Sequence, residues 1–255
     1  MLASAGVVQG VRKCGSSYCL LFHQIQFGVI PGIIIFFIAS KISYEKWRKF
    51  AFLILLLVVG LLVLVFVPGV GYMVNGARRW IDIGIGSLQP SEFLKFALIT
   101  YLSAWFISRK DSEGSTLAAL VPFLLVLGLI TALLIKQPDY GTLGIIIIIS
   151  VAMYFFSGAK FKQFAILASI FVILMGGLAL VEPYRFDRIK TFLNPHEDTQ
   201  GSAYHVRQAK IAIGSGGIFG LGYGQSRQKT SFLPEPEGDS IFAIFAEEMG
   251  FFGVM

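Results

Sequence analysis

Long apolar runs separated by short polar or basic stretches pattern this chain. Four runs, Phe50–Val67, Leu117–Ile135, Tyr140–Phe156 and Phe164–Val181, meet or approach the roughly 20 residues that carry a helix across hydrocarbon. Two weaker runs are Ser17–Ser40, interrupted by His23, Gln24 and Gln26, and Phe93–Ile107, which contains Lys95. A last run opens at Ile241 and reaches Met255. The runs are continuous rather than alternating. They therefore read as helices, which satisfy their own backbone in lipid, and not as barrel strands. The predicted fold class is all-α: a polytopic integral membrane protein.

Composition strengthens that reading. With 55% hydrophobic and 14% charged residues, the chain lacks the polar side chains to cover a soluble domain of this length. Charge position adds an orientation. Lys41, Lys46, Arg48 and Lys49 share one short loop, Arg109 and Lys110 a second, and Lys160 and Lys162 a third. They alternate with Gly69–Pro90, Lys136–Asp139 and the long Glu182–Gly238 segment. If each helix crosses once, the basic loops share a face, and the positive-inside rule makes it cytoplasmic. The net charge of +6 then belongs to membrane topology rather than to nucleic acid. Cys14 and Cys19 have no second pair to complete a zinc site and read as structurally neutral thiols. No secretory signal pattern opens the chain.

The segment 182–238 is predicted to be a large extracytoplasmic loop. A loop this long is usually functional or disordered, and this one is not of low complexity. Ser202–Ile213 places Ala203, Val206, Ile211 and Ile213 among polar residues and meets Gly214, the pattern of an interfacial helix with a glycine cap. The glycines that follow, through Gly224, fit tight turns. A phosphate cradle is the other reading, but no strand precedes them and no Gly-Lys-Ser/Thr closes them.

Charges in or beside apolar runs are candidates for function. Glu92 and Lys95 are three apart on one helix face and can pair. Asp139 either caps the next helix or serves a cavity. Glu247 and Glu248 lie inside the last run, structural or functional. Asp239 stands where the long loop meets a helix. It is either a helix cap or a general base at the water–lipid boundary. Arg78, Arg79, Arg185 and Arg188 are outer-face cations that suit phosphate groups or snorkel at the interface.

Several ordered motifs carry a family resemblance. They are Asn75-Gly76-Ala77-Arg78-Arg79-Trp80-Ile81, Gln89-Pro90-Ser91-Glu92 with Lys95, Gln137-Pro138-Asp139-Tyr140-Gly141-Thr142, and Pro183-Tyr184-Arg185 with Arg188. Phe192-Leu193-Asn194-Pro195, Ala212-Ile213-Gly214-Ser215-Gly216-Gly217, Leu233-Pro234-Glu235, Ile241-Phe242-Ala243 and Glu247-Glu248-Met249-Gly250 follow. In this order and spacing the chain resembles the FtsW/RodA/SpoVE (SEDS) family of peptidoglycan glycosyltransferases along nearly its whole length.

The resemblance implies one transmembrane domain over residues 1–255, usually of ten helices. About seven are expected here, with the chain truncated at both ends. It implies polymerisation of lipid II by inverting transfer. An acidic residue deprotonates the acceptor 4-hydroxyl, that oxygen attacks the donor's anomeric carbon, and undecaprenyl diphosphate leaves. The base carries over to Asp239, although Glu237-Gly238-Asp239-Ser240 stands where the family often has His-Thr-Asp-Phe. Arg78, Arg79, Arg185, Lys229 and Glu235 carry over as substrate-binding residues. Glu92 and Lys95 carry over as a buried pair near the cavity, with Asp139 also lining it. A divalent cation is left open, and no metal-ligand spacing is visible. Gly224-Gln225-Ser226-Arg227-Gln228-Lys229 and Pro234-Glu235-Pro236 resemble the division branch, FtsW, more than the elongation branch, RodA. The implied partners are lipid II, a class B monofunctional penicillin-binding protein, other division proteins and membrane lipids, and the implied place is the cytoplasmic membrane at the septum. A lipid II flippase and a non-catalytic division scaffold are the competing functions.

Overall fold

The structure is a computed structural model that describes residues 1–74, 76–84, 86–109, 116–159, 161–181, 202–231, 233 and 238–255. Its helices are α1 (Leu2–Ala5), α2 (Val7–Cys14), α3 (Cys19–Gln24), α4 (Ile30–Ser40), α5 (Tyr44–Leu64), α6 (Pro90–Arg109), α7 (Thr116–Lys136), α8 (Tyr140–Phe156), α9 (Phe161–Val181), α10 (Ser202–Ser215), α11 (Gln228–Ser231) and α12 (Ile241–Val254). A π-helical turn, Ile25–Val29, joins α3 to α4. Cys19–Ser40, Tyr44–Leu64 and Phe161–Leu178 are each long and apolar enough to cross a membrane. The expected helical membrane architecture is therefore present. The chain divides into two compact units, residues 38–178 and residues 1–37 with 179–255.

In the first unit the core is a seam of helix faces. Leu55, Val58 and Leu62 of α5 meet Leu94, Ala97, Leu98, Tyr101 and Leu102 of α6, with Phe123, Ile130 and Leu134 of α7 and Leu143, Ile146, Ile147, Val151 and Tyr154 of α8. Their spacing of three and four is that of one helical stripe. The opposite faces are apolar as well: Phe52, Leu53, Leu56 and Leu57 are exposed. A helix hydrophobic all round is stable only where its outer face meets lipid or more protein.

The all-helical reading omitted one element. Between α5 and α6 lie three antiparallel strands, β1 (Gly71–Val74), β2 (Ala77–Asp82) and β3 (Ser87–Leu88), in that order. Val74 pairs with Ala77, and Gly76 between them adopts φ 79°, the left-handed conformation that two-residue hairpin turns require.

The second unit has a smaller core of Ala5, Ala212, Leu233, Ala243 and Ile244. Two expectations change there. The cysteines are not neutral thiols: Gly15 turns the chain at φ 72°, and Cys14 and Cys19, with Cα atoms 6.2 Å apart, are joined by a disulfide. The amphipathic helix does not stop at Gly214. It runs to Ser215, Gly216 N–H still donates to Ala212 O, and Gly217 takes the positive φ of 54° that leaves the helix.

Candidate functional site

The sharpest sequence candidate, Asp239, stands just before α12. Ser240 holds the N-cap position, with no side-chain capping bond. Asp239 is exposed, and among the described residues its carboxylate has neither a hydrogen-bond donor nor an ion-pair partner. It is therefore not the cap of this helix, and its oxygens remain accessible.

The two carboxylates further along α12 are in the opposite condition. Glu247 and Glu248 are 1% and 3% exposed. Glu247 accepts from Ser226 Oγ and, at 3.1 Å, from Arg227 N–H. Glu248 Oε1 accepts from Lys229 Nζ at 2.9 Å, Ser4 Oγ at 2.6 Å and Ser226 N–H at 3.3 Å. Lys229 Nζ also donates to Ser4 Oγ at 2.9 Å and Gly224 O at 2.8 Å. An ammonium has three N–H groups, so all of its donors are taken inside the protein. The expected diphosphate contact at Lys229 is corrected accordingly: in this structure it is a buried structural cation.

The glycine series turns out to be a backbone seam and not a phosphate cradle. Leu221 and Gly222 N–H donate to Glu247 and Glu248 O, both at 2.9 Å, while Phe251 and Phe252 N–H donate to Gly217 and Ile218 O at 2.9 and 3.2 Å. Gly250, at φ 67° and ψ −172°, breaks α12 to allow this exchange. At two of its glycines no side chain fits. A Cβ on Gly216 would stand 2.2 Å from Ala246 O, and one on Gly220 2.2 Å from Glu248 O.

The other unit gathers a second set of predicted residues. β2 carries a bulge at Arg79: Met73 pairs with Arg78 and Tyr72 with Trp80, so Arg79 faces no partner on β1, and a bulge re-aims its side chain. Arg78 is exposed. Arg79 turns inward and donates from Nε to Gln137 O at 3.3 Å and from a terminal nitrogen to Pro138 O. These carbonyls follow the end of α7, where helix C-termini leave acceptors unsatisfied and carry partial negative charge, so arginine is a suitable cap. Gln137 Nε2 donates to Leu62 O at 2.9 Å. Asp139 holds the N-cap position of α8 without a side-chain cap bond. Its buried carboxylate accepts instead from Ser91 Oγ at 2.9 Å and Gln89 Nε2 at 3.4 Å. The Gln89-Pro90-Ser91 and Gln137-Pro138-Asp139 motifs thus meet in space.

Glu92 and Lys95 do pair, at 2.8 Å, but their side chains are 57% and 30% exposed. The expectation of a buried pair is corrected: α6 turns Leu94, Ala97 and Leu98 inward, which puts Glu92 on the outer face. Arg185, Arg188 and Glu235 lie outside the described residues. Among the described residues, no group of three or more His, Cys, Asp or Glu side chains is placed to hold a metal ion.

Among the described candidate residues, Asp239 in one unit and Arg78 in the other are exposed and enter neither network. Sequence reasoning missed the role of Ser226 and Ser4. Nothing in their local pattern marks them, and Ser4 meets Glu248 across 244 positions.

Comparison with known proteins places this geometry. The sequence profile of the FtsW/RodA/SpoVE family, described as cell cycle protein, matches residues 1–255. The chain is 40% identical over 253 residues to stage V sporulation protein E of Bacillus subtilis, covering 99% of this chain and 69% of that protein. It is 40% identical over 255 residues to a probable peptidoglycan glycosyltransferase FtsW of Thioalkalivibrio sp., covering 100% of this chain and 64% of that one. Against the latter, then, the chain spans less than two thirds of its relative's length. Among solved structures, one described as structural coordination of polymerization and crosslinking by a peptidoglycan synthase complex aligns with TM-score 0.70 at 24% identity, over 99% of this chain and 70% of that one. The rod shape determining protein RodA of Thermus thermophilus aligns with TM-score 0.62 at 22% identity, over 99% and 65%. These two likenesses support the membrane fold, and the family profile with the 40% relatives decides membership: the chain belongs to the FtsW/RodA/SpoVE family.

Proposed function

We propose that this protein polymerises lipid II into glycan strands by inverting glycosyl transfer, with Asp239 as the general base. The observation that carries the reading is the state of the carboxylates on and beside α12. Glu247 and Glu248 are saturated with donors, whereas Asp239 is exposed at the helix entrance and free of the capping role. A base needs an accessible lone pair within reach of the proton it takes. Asp239 removes the proton from the acceptor 4-hydroxyl, the oxygen attacks the donor C1, and the C1–O bond to undecaprenyl diphosphate breaks as the diphosphate takes the electron pair. Arg78, exposed on β2, is proposed to offset charge on that leaving group, where a preplaced cation acts most strongly in the transition state. Arg79 and Asp139 anchor the ends of α7 and α8 within their own unit, and Arg185 and Glu235 are proposed as further substrate contacts. The names of the 40% identical relatives support the activity. The FtsW name among them favours a role at the septum, with an elongation role as the other branch. The solved synthase complex is described as coordinating polymerization with crosslinking, which favours a crosslinking partner, for which a class B penicillin-binding protein is proposed.

The test is polymerisation of labelled lipid II by the protein purified with its penicillin-binding partner, beside Asp239→Asn. Polymer from the wild type and none from an equally folded variant is the expected result. Undiminished polymer from Asp239→Asn removes the base. Absence of polymer from both, with lipid II translocation retained, moves the function to a flippase, which the broken helix at Gly250 would also suit.

A further inference from the structure

The cysteine pair takes no part in the site described above. Cys14 ends α2, Cys19 opens the membrane span Cys19–Ser40, and the two are bonded to each other. They are the sequence's only cysteines. Cys14 is exposed and Cys19 half-buried, so the bond lies within reach of solutes.

Two independent observations say which face it occupies. The span Cys19–Ser40 has 22 residues and is about 33 Å long at about 1.5 Å per residue, enough to cross a hydrocarbon core of about 30 Å. Its far end runs into Lys41, Lys46, Arg48 and Lys49, whereas Arg12 and Lys13 precede its near end. The larger cluster marks the cytoplasmic side, and Cys19 is therefore at the outer end. The bond itself is the second observation, since disulfides persist in oxidising compartments and are reduced in the cytoplasm. Charge and covalent chemistry select the same face.

We infer that Cys14–Cys19 is an extracytoplasmic oxidative modification site, closed by thiol–disulfide exchange. One cysteine thiolate attacks a disulfide of an extracytoplasmic thiol oxidant and forms a mixed disulfide. The second thiolate then displaces the oxidant's sulfur. Two thiols are oxidised, and the oxidant accepts two electrons and two protons and leaves as its dithiol. The resulting ring closes the Gly15–Tyr18 turn and ties α2 to the head of the span. α1 precedes α2 directly, and its Ser4 bonds Glu248 and Lys229. The bridge therefore fixes the chain path by which that hydroxyl reaches the buried pair.

The experiment uses the protein in intact cells. Free thiols are blocked with N-ethylmaleimide, a membrane-impermeant phosphine is added or omitted, and a membrane-impermeant polyethylene-glycol maleimide then labels whatever has opened. Two labels per chain, only after the phosphine and without lysis, is the expected result. Cys14→Ser, with no blocking step, should take one label from outside without any reductant. Labelling of unblocked wild type before reduction would show free thiols and overturn the bridge. Labelling that requires permeabilised cells would put the pair in the cytoplasm and overturn the orientation.

Discussion

Replacing Lys229 by methionine isolates the buried pair. The substitution keeps length and apolar bulk but removes the charge and three donated hydrogen bonds, to Glu248, Ser4 and Gly224. Glu248, 3% exposed, then holds an uncompensated carboxylate, with Ser4 Oγ and Ser226 N–H among the neutral donors left to it. Removing one member of a buried pair costs about 3–5 kcal/mol. At about 2–4 °C per kcal/mol for a chain of this size, the midpoint of thermal unfolding should fall by about 6–20 °C. Tryptophan fluorescence or survival on size exclusion in detergent reads that shift. The control is Lys229→Met with Glu248→Gln, in which a neutral amide still accepts from Ser4 and Ser226, and it should recover at least half of the loss. If Lys229→Met melts within about 2 °C of wild type, or the double variant melts no higher than the single one, the burial argument is wrong.

Three smaller outcomes test other parts of the structure. Glu92→Ala should shift stability by about 1 kcal/mol or less, because the pair with Lys95 is exposed; a loss of several degrees in the same melt would mean the pair is buried in the assembled protein. Gly220→Ala should prevent stable folding, since its Cβ meets Glu248 O at 2.2 Å with φ at 79°. Gly224→Ala, at φ 78° with nothing within 4 Å, should cost only about 1–3 kcal/mol of backbone strain; equal yields of the two proteins would contradict the seam. Cysteine at exposed Gln225 should react with an impermeant maleimide from outside cells, whereas cysteine at Ser226, 4% exposed, should react slowly. Equal rates would show that Ser226 is not held against Glu247.

The apolar runs made the spans legible because span length is a one-dimensional property. Tyr140–Phe156 appears with the same limits in the structure. The hairpin after α5 was legible in principle, as Asn75-Gly76 between short apolar stretches is a turn signal, but its strands of four and six residues are too short to stand out between two long apolar runs. The local pair Glu92–Lys95 was legible from its spacing, but the long-range contacts of the charges were not. Asp139 looked like a cap and bonds Ser91 instead, 48 positions earlier. Lys229 looked like a phosphate ligand and is occupied by partners on two other elements. Such pairings depend on which helix faces meet, and that information is spread over the whole chain. The exposure of Glu92 follows from the phase of α6, set by Leu94, Ala97 and Leu98 turning inward.

The backbone seam also bears on how the protein is made. The carbonyls that receive Leu221 and Gly222 belong to Glu247 and Glu248, so the glycine segment emerges before its partners exist. Ser4 waits longer still, since Glu248 follows it by 244 positions. At about 5–20 residues per second that interval is about 12–49 s of synthesis. Throughout it, Ser4 lacks its acceptor on α12. The polar cluster of Ser4, Lys229 and Glu248 can therefore close only after α12 has been synthesised, so it forms among the last tertiary contacts of its unit.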